Sequence, residues 1–468
     1  MEITPKYNLT SAKDKIVVDD VPFGQKFGGL LANSSSIQQG SGNDIFMASE
    51  KGIHLGDAEF SDAPFSVDMQ GNLRATSGTF SGDITGASGS FTGDISGATG
   101  TFTGRFKIGG LIINVVAGDS IQGAINEVNA AGGGTVVLGN GTHRPGGNIT
   151  LYSSVNLEGQ TQGGAIIDFE NGAYGILAQG SNAYSTGTVT VAAGGTTVTG
   201  SGTTFTSAMI GRSILLSGIW YTVATFTSTT EVSISIPFAD VALSGATYVI
   251  ATILSDISIE KLTIKNSTSA SINFQYVNEF YFERLKMITS TTAIQMQDCS
   301  NLTTDNIDFI YCGTALTATR CHFWTSSYCG DVDSTTKGFD LTSCTRFQIR
   351  SNFGLGSTGN GVTLTSCSVA LVSLNAYREN AGKGIELVSG NSNIQISSNN
   401  VQANASDGIK LTATSDDCDV INNQLISNGG YGVNIAASSC DDNLLASNNY
   451  KSNTSGSIQD LGLGTNIY

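Results

Sequence analysis

The sequence predicts an all-β protein whose body is a right-handed parallel β-helix, a solenoid of about 12 coils with about 22–25 residues each. Three observations predict this architecture. Glycine is abundant, with 58 residues in a chain of 468, whereas proline is scarce, with 5. An apolar pattern repeats with a constant period through the C-terminal half, and asparagines repeat with the same period.

The glycine and proline counts favour many short strands joined by tight turns. Disordered Gly-rich segments usually carry proline as well, so they explain this composition poorly. The chain has 22 basic and 38 acidic residues, a net charge of −16. Because binding through nucleic-acid phosphates needs a basic surface, no nucleic-acid partner is expected.

The repeat consists of a glycine, an apolar residue, any residue and an aliphatic residue. It occurs at residues 338–341, 361–364, 384–387, 408–411 and 432–435. Stacked coils would place these aliphatic side chains in inward columns. Leucine-rich repeats have a similar period, but their Leu/Asn consensus and helical arc are not visible.

Two series of asparagines keep the same period and predict hydrogen-bonded ladders at the turns. The series are Asn352, Asn375, Asn399, Asn423 and Asn448, and Asn380, Asn404, Asn428 and Asn453.

The start of the β-helix is predicted over residues 111–182. Residues 118–131 predict a short helix with Asp119 as N-cap, and this helix would cover the open end of the solenoid. Its apolar face would consist of Ile121, Ala124, Ile125 and Val128. Residues 183–251 interrupt the period and predict a small inserted β module. The body of the β-helix resumes over residues 252–468.

An 11-residue repeat near the N-terminus predicts a stalk over residues 61–110. Phe80, Phe91 and Phe102 mark the repeat. One apolar residue in about six cannot bury a core within a single chain. The segment therefore predicts an intertwined homotrimer in which three chains pool their apolar columns. Residues 1–60 are non-repetitive.

These features together resemble bacteriophage tailspike and tail-fibre proteins. The run GTFSGDITGASGSFTGDISGATGTFTG resembles the Gly/Thr/Phe repeats of phage stalks. The run GGGTVVLGNGTH is similar to the start of pectate-lyase-like β-helices, and residues 183–251 resemble a β insert of phage virion proteins. The resemblance implies a homotrimer located on the virion, in the phage tail, and attached to a tail or baseplate protein through residues 1–60. It further implies binding to a host cell-surface polysaccharide and, in a stronger version, its depolymerisation.

The N-terminus shows no signal peptide, and no apolar run of about 18 residues is present. We therefore expect synthesis in the host cytoplasm and no membrane insertion. No cofactor or metal site is expected, since the calcium-binding acidic cluster of pectate lyases is not found.

Enzymes of β-helical fold that act on glycans place acids and aromatics on an outward strip of one sheet. If Asp308 points outward, steps of 22 or 23 residues place Asp331 beside it on the next coil. Two carboxylates about 5 Å apart suit a retaining glycosidase, and their mutual repulsion raises one pKa. The candidate catalytic residues are Asp308, Asp331, Asp333 and Glu379. The candidate glycan-binding residues are Lys286, Trp324, Tyr328, Arg346, Arg350 and Tyr377.

The same residues also fit a solvated acidic face, with Trp324 in the core. A one-residue error in phase would turn every side chain to the opposite face. Three functions therefore stay open: a receptor-binding tailspike that cleaves its glycan, a structural or adhesive fibre that does not, and a free bacterial polysaccharide lyase or epimerase. The stalk and the missing signal peptide disfavour the third.

Overall fold

The structure, a computed structural model, describes residues 26–27, 30–32, 36–77 and 111–468. The chain divides into two compact units, Met1–Gly100 and Thr101–Tyr468. The predicted 11-residue repeats lie outside the described residues, as does the first part of the predicted attachment region.

The described part of the first unit is a seven-stranded antiparallel sheet whose strands are neighbours in chain order. The strands are Lys26–Phe27, Leu30–Ala32, Ser36–Ser41, Asp44–Ser49, Gly52–Leu55, Phe65–Asp68 and Leu73–Ala75. Sequence analysis treated residues up to 60 as irregular and missed this sheet. The boundary predicted at residue 60 lies inside it, because Gly52–Leu55 pairs with Phe65–Asp68. Residues up to Ala75 therefore belong to this sheet, not to a stalk.

The described part of the second unit, residues 111–468, is a parallel β-helix with one short α-helix and one inserted sheet. Before the insert its strands are Ile112–Val115, Gly134–Leu138, Gly141–His143, Ile149–Thr150, Val155–Gly159, Ala165–Gly172 and Ile176–Gln179. After the insert they are Leu254–Glu260, Thr263–Gln275, Val277–Gln297, Ser300–Ile310, Thr314–Thr319, His322–Ser327, Gly330–Val332, Lys337–Thr342, Thr345–Arg350, Phe353–Leu355, Val362–Thr365, Ser368–Ser373, Ala376–Arg378, Ile385–Ser389, Ser392–Ser397, Asn400–Gln402, Ile409–Leu411, Asp419–Ile421, Gln424–Ile426, Tyr431–Ile435, Leu444–Ala446, Asn449–Lys451, Gly456–Asp460 and Asn466–Ile467.

Each coil contributes strand segments to three parallel columns. In the coil that begins at Ser300, the first column holds Leu302, the second holds Phe309, and the third holds Leu316. All three side chains point into the solenoid and are fully or almost fully buried. Since the same positions recur in every coil, one continuous apolar core runs along the solenoid axis.

The predicted asparagine ladders are confirmed. Asn375 donates from Nδ2 to Oδ1 of Asn399 over 2.9 Å. In the second ladder, Asn404 donates in the same way to Asn428 over 3.0 Å. These amides are buried, so the ladders satisfy turn backbone groups that would otherwise lack partners.

The predicted helix forms over Ile121–Ala130, and its buried residues are the four that sequence analysis named. Their side chains join the core of the solenoid at its N-terminal coil. The N-cap, however, is Ser120, whose Oγ accepts from the backbone N–H of Gly123 over 3.0 Å. Asp119 lies one residue too early to reach the first turn. No helix in the described ranges is long and apolar enough to cross a membrane.

The insert forms an eight-stranded sheet with its own apolar core. Its elements are Ser181–Tyr184, Thr188–Val191, Thr197–Ser201, the 3-10 turn Ser207–Met209, Ser213–Leu216, Ile219–Ser228, Glu231–Ile234, Leu243–Ala246 and Val249–Thr252. The first strand pairs with the last, so the two ends of the insert lie side by side. The solenoid register continues across it, since Leu157 pairs with Ile259.

Candidate functional site

The strand register separates the two carboxylates that were expected to be paired. Asp308 lies opposite Lys286 on one side and Gly330 on the other. Asp331 lies instead in register with Phe309, which points inward. The expected Asp308–Asp331 pair is therefore wrong. Between these two coils the step is 22 residues, so the expected step of 23 turned Asp331 to the wrong face.

Asp331 is a buried carboxylate inside the solenoid, 4% exposed. Its Oδ2 accepts from Ser357 Oγ over 2.8 Å, and its Oδ1 accepts from Ser334 Oγ. Burial raises the pKa of Asp331 to about 6, although the two serine hydrogen bonds act in the opposite direction. Because no solvent-facing surface reaches it, Asp331 cannot act on a bound polysaccharide.

Trp324 and Tyr377, predicted to contact sugar, are also core residues. Trp324 is 1% exposed and packs on Phe347, with ring centroids 6.0 Å apart. Tyr377 is buried in the same inward position as Asp331 and Gly354. Its aromatic ring lies beside Gly361, where a Cβ atom would come within 2.9 Å of it. Both aromatic side chains are therefore buried in the solenoid core, although Trp324 also contributes to the lining of one surface hollow.

The remaining candidates lie on the surface in different columns. Lys286 and Asp308 are outward neighbours in the second column, as expected. Asp333 and Glu379 are exposed, and each has a positive φ at a turn. Their turns lie two coils apart, with the turn at Gly356 between them. Tyr328 and Arg350 are exposed as well, at a turn and in the first column respectively. The predicted residues therefore do not form one patch.

Arg346 attaches the insert to the solenoid. Its guanidinium donates to the backbone oxygen of Ser217 over 2.9 Å and forms an ion pair with Asp240. Hydrogen bonds from Ser217 and then from Arg346 lower the pKa of Asp240 to about 2. Gly218 packs directly on the imidazole of His322. Arg346 thus fixes the insert beside the first column, which is a structural role that sequence analysis did not foresee.

Two shallow hollows lie along the outward face of the first column, and we call the strip that contains them the axial groove. One residue per coil adopts a positive φ and forms its rim: Asp256, Glu279, Asn301, Phe323, Arg346, Val369 and Asn393. Two residues later in each coil a strand residue forms its floor: Ser258, Tyr281, Thr303, Thr325, Gln348, Leu371 and Gln395. Seven stacked coils give the groove a length of about 30 Å.

The first half of the axial groove is polar and acidic. A hollow of about 440 Å³ is lined by Asn156, Asp256, Ser258, Glu279, Tyr281 and Asn301. Beside the floor, Glu158, Glu260, Glu283 and Asp305 stack in register on consecutive coils. Burial, and then the nearby carboxylates led by Glu283, raise the pKa of Tyr281 to about 12. This stretch therefore combines acidic side chains with a phenol that stays protonated at neutral pH.

The second half of the groove mixes apolar and polar side chains. A hollow of about 550 Å³ is lined there by Phe323, Thr325, Arg346, Gln348, Val369, Leu371 and Asn393. The Arg346 guanidinium carbon lies 5.3 Å from the centre of the Phe323 ring. The hollow is shallow and open, so it suits an extended ligand that lies across the surface better than an enclosed small molecule.

Sequence analysis named Arg346 but missed the rest of the axial groove, because the strip that it followed by period lies in the second column. The signal was nevertheless present, since Tyr281 and Thr303 are separated by the same 22-residue step as Lys286 and Asp308. Within the described ranges, no group of three or more His, Cys, Asp or Glu side chains is placed to hold a metal ion.

Comparison with known proteins agrees with this architecture. Residues 325–455 match the family model described as a right handed beta helix region. No curated protein matches the chain in sequence. The A-module of the mannuronan C-5 epimerase of Azotobacter vinelandii is similar in structure, at 13% identity and a TM-score of 0.41, over 74% of this chain and 94% of that one.

Two phage proteins are similar to the same degree. For the tailspike of Acinetobacter baumannii bacteriophage AP22, solved with a capsular saccharide, the identity is 10% and the TM-score 0.42, over 75% of this chain and 67% of that one. For the tailspike of Pseudomonas phage phi297 the identity is 11% and the TM-score 0.39, over 70% of this chain and 72% of that one. At such identities the likeness concerns the fold alone. The strand register and the family match establish an all-β chain whose second unit is a right-handed parallel β-helix.

Proposed function

We propose that the protein is a receptor-binding protein of the tailspike kind that binds a cell-surface polysaccharide along the axial groove. The observation that carries this proposal is that the same outward positions recur on seven consecutive coils, from Asp256 to Asn393, with a shallow hollow in each half of the strip. A groove about 30 Å long and parallel to the solenoid axis suits a linear polymer better than a small molecule.

The side chains of the groove support a carbohydrate ligand. Sugar rings have hydroxyl edges and less polar faces, and the groove offers partners for both. Asn301, Gln348 and Asn393 provide amides that donate and accept hydrogen bonds. Tyr281 and Leu371 provide flat or apolar contacts. The carboxylates of the first half favour a neutral or amino-sugar polysaccharide over a polyanionic one.

The assembly and location belong to the same proposal. The 11-residue repeats support a homotrimer, and the resemblance to tail proteins supports attachment to a phage tail or baseplate protein through the N-terminal region. On this proposal the protein is made in the host cytoplasm and functions on the virion.

Cleavage of the bound glycan is a second candidate function, supported by Glu283 and Asp305. These residues lie in register on adjacent coils next to the floor residue Tyr281. Their backbones are about 4.8 Å apart, which is compatible with the separation of about 5–5.5 Å between the two carboxyl groups of retaining glycosidases. A free bacterial lyase or epimerase is the remaining alternative, and the stalk repeats disfavour it.

The test is direct binding to purified surface polysaccharides from candidate hosts, with two tyrosine variants. Tyr281→Ala removes a floor side chain of the groove, whereas Tyr311→Ala removes an equally large side chain that is 59% exposed at a turn of the second column. We expect Tyr281→Ala to weaken binding about tenfold, or about 1.4 kcal/mol, and Tyr311→Ala to leave it unchanged. Equal affinities of both variants on a bound glycan would place the site elsewhere.

The same samples decide whether the glycan is cleaved. New reducing ends that disappear in Glu283→Gln would show cleavage. Without an ultraviolet band of an unsaturated uronate the cleavage is hydrolysis, and with that band it is elimination. A polysaccharide that is bound but releases no reducing ends would identify an adhesive protein.

A further inference from the structure

The N-terminal antiparallel sheet has one face that is apolar and uncovered. The strand register places Ile37, Ala48, Ile53, Val67 and Leu73 in one row across five strands. A second row on the same face contains Phe46, Leu55, Phe65 and Ala75. We call these nine residues the apolar face. Neither row includes a charged side chain.

The exposure of this face is unusual for the size of its side chains. Phe65 is 37% exposed, Ile53 is 45% exposed and Leu73 is 53% exposed. Scattered exposed apolar residues are normal, but a contiguous apolar surface marks an interaction site. A single sheet also needs a second layer on its apolar face for stability.

The opposite face of the same sheet is covered by its own chain. His54 and Ser66 are buried there, together with Ala63 of the connecting segment. The ring of Phe60 packs edge-on against His54 at 5.4 Å between centroids, and Arg74 binds the backbone oxygen of Ser61. The chain therefore covers a mixed face, which also holds Ile45 and Met47, and leaves the face with more apolar residues open.

We propose that the apolar face packs against other copies of this chain. Two observations favour copies over an unrelated partner. The nine residues carry no charge, and the adjacent Asp44 on the same side of the sheet is acidic, so the face does not suit a polyanion such as nucleic acid. It ends at Ala75, and the 11-residue repeat begins at Thr79. Copies joined through the repeats would hold identical apolar faces close together, at a high effective concentration.

In this arrangement the N-terminal sheets form a common apolar core, with one sheet from each copy. The interface is independent of polysaccharide binding by the axial groove. It rests in part on the stalk prediction, because the repeats bring the copies together.

Two neighbouring cysteine substitutions in the full-length chain test the interface. Ile37 lies on the apolar face, and Gln38 lies on the opposite face of the same strand. The eight native cysteines are all buried, so a short bis-maleimide reacts selectively with the introduced thiol. We expect Ile37→Cys to yield covalent dimers on a denaturing gel, and Gln38→Cys to remain a single chain.

A third variant, Ile37→Cys combined with Ile53→Glu, places a charge in the same row. We expect its dimer yield to fall to that of Gln38→Cys, because burying an unpaired carboxylate opposes packing. Ile53 is partly exposed, so the folded sheet tolerates the substitution. An unchanged yield would overturn the proposal, and so would equal yields from Ile37→Cys and Gln38→Cys.

Light scattering on the unmodified protein separates this proposal from the stalk prediction. A multimer that gives no cross-linking at Ile37→Cys would overturn the interface and leave the stalk as the site of assembly. A monomer would overturn both.

Discussion

Asp331 and Phe309 occupy the same inward position on adjacent coils of the β-helix. A carboxyl group therefore lies in a column of aromatic and aliphatic side chains, where Ser334 and Ser357 are its hydrogen-bond donors. This placement makes Asp331 a determinant of stability, and its effect on stability depends on pH.

Asp331 should make the protein less stable as the pH rises. Burial raises its pKa from 3.8 to about 6, so the folded state retains a proton that the unfolded state has released. The stabilising contribution is fully present below about pH 4 and is lost as the pH rises through about 6. The difference amounts to about 3 kcal/mol at neutral pH. Urea unfolding at pH 5 and pH 8 captures about half of this difference, or about 1.4 kcal/mol, because the carboxyl group of the unfolded chain is already ionised at pH 5.

Asp331→Asn and Asp308→Asn form a matched pair for this measurement. We expect Asp331→Asn to remove most of the stability loss between pH 5 and pH 8, because the buried group no longer ionises. Asp308 is exposed and lies next to Phe309, so Asp308→Asn should show the same loss of stability between pH 5 and pH 8 as the unmodified protein. The same pH dependence in all three proteins would contradict the buried position of Asp331.

Trp324→Ala should destabilise the protein by about 3–5 kcal/mol, as expected when a fully buried aromatic side chain leaves a cavity. Tyr328→Ala, at a turn where the ring is 68% exposed, should change stability by less than about 0.5 kcal/mol. Thermal unfolding compares the two variants. A reversed order would mean that Trp324 is not in the core.

The Arg346–Asp240 ion pair should contribute measurable coupling between insert and solenoid. A double-mutant cycle with Arg346→Met and Asp240→Asn is expected to give about 1 kcal/mol, since both side chains are partly buried and Arg346 also binds Ser217. The control cycle uses Arg144 and Glu170, an exposed pair at 2.9 Å. That pair should give a few tenths of a kcal/mol. Equal coupling energies would show that the insert does not depend on Arg346.

Polysaccharide binding should depend on ligand charge. The carboxylates of the first half of the axial groove repel a polyuronate, so we expect a neutral polysaccharide to bind and a polyuronate of similar length to bind poorly. Glu279→Gln should improve binding of the polyuronate, whereas Glu231→Gln, in the insert, should not. Affinity measurements at low salt are the sensitive test, because salt screens these charges. Preferential binding of the polyuronate by the unmodified protein would contradict the acidic groove.

Periodicity predicted much of the solenoid, because stacked coils repeat the same side-chain positions. The asparagine ladders and the buried face of Ile121–Ala130 follow directly from residue spacing. Spacing could not identify the face of Asp331, because the coil length there is 22 residues and a single residue reverses direction. The same uncertainty in phase explains why Trp324 and Tyr377 were predicted to contact sugar although both are buried.

The rim of the axial groove had no residue signature. Its positive-φ positions include Phe323, Arg346 and the β-branched Val369, residues that rarely adopt this conformation. The stacking of coils imposes the bend, so tertiary structure overrides local preference. The N-terminal sheet was missed because its strands are short and its apolar residues alternate with polar ones over only two or three positions.

The position of the insert has an evolutionary consequence. Gln179, before the insert, pairs with Gln275 of the next coil, and Leu254, after the insert, pairs with Val277. In that next coil a single residue, Tyr276, connects the two strands. Gly180 stands at the position of Tyr276, and the whole segment from 181 to 253 is added after it. Because the flanking strands keep their register, recombination at this corner can delete the module or exchange it for another without rebuilding the solenoid. The sequences of the β-helix and of the insert can therefore diverge at different rates.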